Sequence, residues 1–203
     1  MNSFPMTELR QEVKGRREPN YDIAPLFLNR WSGRAMTGEV LEPDEYLPVF
    51  EAARWAPSSR NEQPWRFVYV TREDAEWDDA MGVLNEKNRL WAQDASIYVL
   101  VASRRRFEEY DSESYTHSFD TGAAWQNLAL EATRRGLVAH AMNGFDKDAA
   151  NDFFDVPEVY RVETTIAIGP RAAPDTLPED LQGREYPNQR RPLDEIVLER
   201  RFA

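Results

Sequence analysis

Residues 119–135 carry apolar side chains on more than one face of a helical wheel: Ala123, Ala124, Trp125, Leu128, Leu130 and Ala132, with Gly136 placed to end the helix. A helix with a single apolar stripe can lie on a surface, whereas one apolar on several sides must be covered on several sides. This segment is therefore expected at the centre of a domain or shared with a second subunit. Around it, residues 65–70, 97–102, 137–142 and 162–168 are β-branched or aromatic runs bounded by turn residues, hence strands. Helices are expected over 22–29, from Pro43 through the stripe Tyr46, Leu47, Phe50 and Ala53, over 73–91, and from a cap at Asp146 to Phe154. The spacing lacks a regular βαβ cadence. An α+β fold follows, with a mixed, largely antiparallel central sheet flanked by helices.

The chain has 203 residues, 41% of them apolar, which suits one domain with a sizeable core. Residues 1–21 form a polar arm without the apolar stretch of a secretory signal, and 22–203 are expected as a single domain. Cysteine is absent, which removes disulfides, thiolate ligands and cysteine nucleophiles and fits a cytoplasmic protein. No run approaches the roughly 18 apolar residues of a membrane span. A net charge of -11 argues against nucleic acid or an anionic membrane as partner. Any anion site has to be built locally from a few arginines.

Only His117 and His140 could serve as histidine ligands and they lie far apart, so no metal site is expected. There is no Gly-x-Ser-x-Gly, no catalytic triad pattern and no glycine-rich phosphate loop. Two groups remain. Arg30, Ser32 and Arg34 alternate, so an extended segment projects all three to one side, a set suited to a phosphate monoester because guanidinium forks bind its oxygens bidentately. Arg190 and Arg191 offer a second cationic pair, although either pair alone could equally be surface ion pairs. The stretch 56–65, Ala-Pro-Ser-Ser-Arg-Asn-Glu-Gln-Pro-Trp, packs Ser58, Ser59, Asn61 and Gln63 between two prolines. It could be one wall of a site for a polar planar ligand or a helix-to-strand turn whose side chains satisfy one another.

Taken in order, these pieces resemble the FMN-dependent nitroreductase family: Arg30-x-Ser32-x-Arg34, then Ala56-Pro57-Ser58-Ser59-x-Asn61-x-Gln63-Pro64-Trp65, then Asp120-x-Gly122-x-Ala124-x-Gln126-Asn127-Leu128. Asn143-Gly144-Phe145-Asp146 and the closing Arg190-Arg191-Pro192-Leu193-Asp194-Glu195-Ile196-Val197 complete the series, which spans about residues 22–198. Each motif is weak alone; five in order are specific.

The resemblance implies an intertwined homodimer with a C-terminal extension, binding FMN and oxidising NADH or NADPH to reduce nitroaromatics, quinones or another small electron-poor acceptor by a ping-pong mechanism. Flavin-dependent ene reduction, dehalogenation, dehydrogenation or plain FMN binding remain open as alternatives. It implies that Arg30, Trp31, Ser32, Arg34, Arg190 and Arg191 hold the FMN phosphate and ribityl chain. Asn188 stands where relatives often have lysine, which would shift weight to Arg34 and Arg191. The loop with Pro57, Ser58, Ser59 and Asn61 is implied to come from the second subunit, Asn85 and Asn88 to meet the pyrimidine edge, and the Gly144 N–H to lie near flavin N5 beside Met142 and Asn143. Relatives often have glycine or glutamate at the Asn143 position, so the substrate class stays open. No protein nucleophile or metal is implied, since the flavin carries the chemistry.

Overall fold

The computed structural model describes residues 7–202. Four strands, β1 (Trp65–Thr71), β2 (Ile97–Arg104), β3 (Leu137–Met142) and β4 (Tyr160–Pro170), form one sheet in the order β1-β2-β4-β3. Every pairing is antiparallel, so the mixed sheet expected from the sequence is wholly antiparallel among the described residues. β2 is buried along nearly its whole length because helices cover both faces of the sheet.

Side-chain alternation divides the core accordingly. Ile97, Val99 and Val101 of β2 and Ile166 and Ile168 of β4 meet α2 (Pro43–Arg54) and α5 (His117–Arg134). On the opposite face, Tyr98, Val138, Met142 and Ala167 meet α3 (Trp77–Gly82) and α4 (Glu86–Ala92). α5 buries Ala124, Leu128, Ala129 and Ala132 against the sheet and α2, as its two-sided apolar pattern requires. α2 begins with a capping box, Glu42 N–H to Glu45 Oε2 at 2.9 Å, and buries Tyr46, Val49 and Ala53. Leu47, expected in that stripe, is instead exposed.

The helix expected over 73–91 is two helices. Gly82 ends α3, Leu84 pairs with Phe145, and the Asn85 side chain caps α4 by accepting from Asn88 N–H. Trp77, Met81, Leu84 and Trp91 still share one core, which is why their spacing suggested a continuous helix. Gly136 takes φ +84°, the left-handed turn that ends α5 before β3. Asp146 accepts from the N–H groups of Asp148 and Ala149 and starts α6 (Lys147–Phe153). After β4, 3-10 turns and the short α7 (Glu179–Gln182) lead to an irregular, exposed stretch from residue 188 onward. No helix among the described residues is long and apolar enough to cross a membrane.

Leu128 is fully buried between α5 and the sheet. Leu128→Ala is expected to lower unfolding free energy by about 2–5 kcal/mol through lost transfer energy and the cavity left behind. Urea unfolding should show a reduced midpoint with unchanged slope.

Candidate functional site

The anion site grows from the end of α1 (Pro25–Asn29). The helix stops at Arg30, whose backbone is extended at φ -75°, ψ 118°. From there side chains alternate: Trp31, Gly33 and Ala35 are buried, while Arg30, Ser32 and Arg34 remain partly accessible and line a cavity of about 300 Å³. Arg30 Nη1 lies 3.3 Å from Ser32 Oγ, so the guanidinium and the hydroxyl share one wall. The expected projection of these three side chains to one side is what the backbone produces.

Backbone anchors keep the segment extended. The buried carboxylate of Glu185 accepts from the N–H groups of Arg34 at 2.6 Å and Ala35 at 3.1 Å, and its second oxygen lies 3.7 Å from Arg34 Nη1. A Cβ on Gly33 would stand 2.9 Å from both Arg171 Nη1 and Glu185 Oε1, so any other residue would displace these two side-chain ends. Arg171 lies with its guanidinium 4.6 Å above the Trp31 ring. Across the cavity, the His140 ring contacts the Gly33 carbonyl through Nδ1 at 2.9 Å and packs 4.6 Å from the Trp91 ring.

Arg184 and Arg190 come from the C-terminal stretch and Arg17 from the N-terminal one, so five guanidinium groups and no carboxylate line the cavity. Burial first, then the charges of Arg190 and Arg30, lowers Arg17 to about 10. Burial and Arg190 lower Arg30 likewise. On a chain of net charge -11, cations held this closely make a local field that favours an anion. Forked donors, the Ser32 hydroxyl and the cavity's small polar shape suit a phosphate monoester.

His140 completes the wall in neutral form. Desolvation, outweighing the Gly33 carbonyl and reinforced by Arg34 and Arg30, brings its pKa down to about 4. The neutral ring donates from Nδ1 to the Gly33 carbonyl.

A second cluster sits where β3 ends. The Gly144 carbonyl accepts from Asn85 N–H at 3.0 Å and from Asn88 Nδ2 at 3.1 Å, and a methyl at Gly144 would collide with both asparagine amides. Met142 is buried with its carbonyl bonded to Thr164 Oγ1 at 2.8 Å, and Asn143 is exposed. Asn85, Asn88 and Gly144, far apart in sequence, thus meet. His140 and Met142 lie two residues apart on one face of β3, which places the two clusters along the same strand.

The loop after α2 lies elsewhere. Ser58 Oγ accepts from Gln63 N–H, Ser59 N–H donates to Asp120 Oδ2, and Gln63 Nε2 donates to the Asn61 carbonyl. Within the chain, the self-satisfying turn is the reading that holds for Ser58, Asn61 and Gln63. Yet Arg60, Asn61 and Gln63 all take positive φ, between 51° and 58°, three strained non-glycine residues within four positions. Pro57, Ser58, Ser59 and Asn61 do not line the arginine cavity.

Arg190 lines the cavity and Arg191 does not. Arg184 and Asn188 line it. Sequence reasoning missed Arg17, Arg184, Tyr186 and His140. Arg17 belongs to a basic run with Lys14 and Arg16 at the end of the polar arm, whereas His140 lies inside a core strand and carries no local signal.

Comparisons with known proteins agree with this fold. The model of the nitroreductase family matches residues 28–92 and 77–170. A crystal structure described as an oxidoreductase containing FMN superposes with a TM-score of 0.88 at 42% identity, covering 92% of this chain and 96% of that one. A nitroreductase family protein from Streptococcus pneumoniae gives a TM-score of 0.70 at 22% identity over 86% of this chain and 98% of its own. A Streptococcus pyogenes protein with a provisional NAD(P)H nitroreductase name is 25% identical over 202 residues, 82% of this chain and 94% of its own length.

The low pKa of His140 sets a pH dependence. Between about pH 6.5 and 4 the unfolded chain binds a proton at this position and the folded chain does not, so stability falls as pH drops through that window. Gln can keep a donor for Gly33 without titrating. In His140→Gln, the loss of stability between about pH 7 and about pH 5 should therefore be smaller than in the parent by urea unfolding. An identical loss would contradict a buried neutral histidine.

Proposed function

The chain belongs to the nitroreductase family, and from that premise we propose an FMN-dependent oxidoreductase that takes hydride from NADH or NADPH and reduces small electron-poor acceptors such as nitroaromatics or quinones. The observation that carries the assignment is the carboxylate-free cavity lined by Arg30, Ser32, Arg34 and Arg190, whose donors fit a phosphate monoester. Bound there, FMN supplies a ring that accepts hydride at one stage and returns electrons at the next.

The chain's own residues then have distinct tasks. Arg30, Arg34, Arg184 and Arg190 hold the phosphate, and Ser32 adds a hydroxyl. Trp31, pinned by Arg171, fixes the backbone that carries them. Asn85, Asn88 and Gly144 form a wall of amide and peptide groups for the polar edge of the ring, while Met142 closes it on the core side. Asn143, exposed beside them, is placed to touch whichever partner stacks on the ring, and a ping-pong exchange lets the nicotinamide and the acceptor use that place in turn.

A homodimer completes the site. Trp55, just past α2, and Phe119 on α5 are 72% and 81% exposed, and residues 188–202 are uncovered with Ile196, Val197 and Phe202 exposed. A second copy covering these faces brings the strained 58–63 loop to a flavin held mainly by the other subunit. The division into an arm over 1–21 and a single domain over 22–203 is part of the same proposal; residues 1–6 and 203 lie outside the described residues, and Val13 and Arg17 of the arm are buried against the domain.

Purified protein should carry or take up FMN and show flavin absorbance. Anaerobic mixing with NADH or NADPH should bleach it, and a nitroaromatic or quinone should restore the colour. Flavin that stays oxidised with both nucleotides refutes the assignment. Sedimentation should give a dimer, and a flavin-loaded monomer would contradict the shared site.

A further inference from the structure

One guanidinium of the anion cavity comes from outside every motif that marks the family resemblance. Arg17 lies in the N-terminal segment, upstream of α1, and is only 6% exposed. Its Nε donates to the Asn188 carbonyl at 2.8 Å, and its Nη1 donates to the carbonyls of Leu28 and Arg30, both at 2.7 Å. One side chain thus joins the N-terminal segment, the end of α1 and the basic C-terminal stretch.

The segment behind Arg17 is docked as well. Val13 is fully buried, Arg10 N–H donates to Asn29 Oδ1, and Asn29 Nδ2 donates to the Glu8 carbonyl, each bond at 2.9 Å. Docking brings the Arg17 charge against Arg30 and Arg190 in a cavity with no lining carboxylate. Like charges repel at this range, and an anion among them turns repulsion into attraction.

We propose that Arg17 is a further residue of the cofactor-phosphate site, supplied by the N-terminal segment, so that FMN binding and docking of residues 7–20 are one coupled equilibrium. The coupling rests on the FMN assignment, and it is reciprocal: whatever factor the phosphate adds to docking, docking adds to phosphate affinity. Riboflavin has the same ring and ribityl chain without the phosphate, so it engages the pocket but not the coupling.

Fluorescence titration with FMN and with riboflavin tests this on the full chain. Arg17→Met should weaken FMN by about tenfold, equivalent to about 1.4 kcal/mol, and leave riboflavin affinity unchanged. Arg17→Lys, which keeps the charge but not the fork, should lose less. In the unaltered protein, FMN should slow tryptic cleavage at the exposed Lys14 and Arg16, and riboflavin should not. Equal loss of both flavins in Arg17→Met would reduce Arg17 to a structural staple and overturn the proposal. So would unchanged FMN affinity or cleavage indifferent to FMN, with the parent still binding FMN. A parent that binds neither flavin overturns the cofactor assignment itself, and the coupling falls with it.

Discussion

The structure depends on holding like charges together. Arg17, Arg30, Arg34, Arg184 and Arg190 meet in one small cavity, and their mutual repulsion has to be borne by something other than the side chains themselves. It is borne by the backbone. Glu185 accepts from two successive N–H groups of the segment, His140 donates to the Gly33 carbonyl, and Gly33 admits Arg171 and Glu185 where a Cβ would displace them. Trp31, facing inward under Arg171, locks the alternation that sends the arginines outward. A single buried carboxylate behind the wall, 3.7 Å from Arg34 Nη1, offsets part of that charge from outside the cavity lining.

The same design explains why the site spans the whole chain. Cations placed together in sequence would repel in the unfolded chain and bind indiscriminately on an acidic protein. Here Arg17, the Arg30–Arg34 segment and Arg184–Arg190 converge only in the folded chain. β3 then links the two ends of the site, with His140 at the cationic cavity and Gly144 beside the asparagines just past the strand. His140 is neutral there, so the strand adds a hydrogen-bonding wall and no further charge.

Local pattern made part of this legible. The alternation of Arg30, Ser32 and Arg34 needs only an extended backbone to mean one face, and the Asp146 cap and the Gly136 turn need only their neighbours. The 73–91 stretch misled because Trp77, Met81 and Leu84 fall at helical spacing and share a core, while the break depends on the Leu84–Phe145 pairing and the Asn85 cap. Of the adjacent pair Arg190 and Arg191, only Arg190 lines the cavity, a distinction that sequence counting does not make. Arg17, Arg184 and His140 were invisible as site residues because each owes its place to long-range packing. The 56–65 loop kept both of its meanings, with Ser58, Asn61 and Gln63 satisfying one another inside the chain and positive φ at Arg60, Asn61 and Gln63 marking strain that a plain turn does not need.

The central claim is that this cage of guanidinium groups is a phosphate site that sets cofactor affinity. The most direct measurement is the ratio of FMN to riboflavin dissociation constants for the unaltered protein at a fixed, moderate salt concentration. Two or more charge-assisted partners worth roughly 1.5–3 kcal/mol each predict FMN tighter by about a hundredfold or more. Equal affinities for the two flavins would mean that the arginines hold no phosphate, and the account would fail at its root.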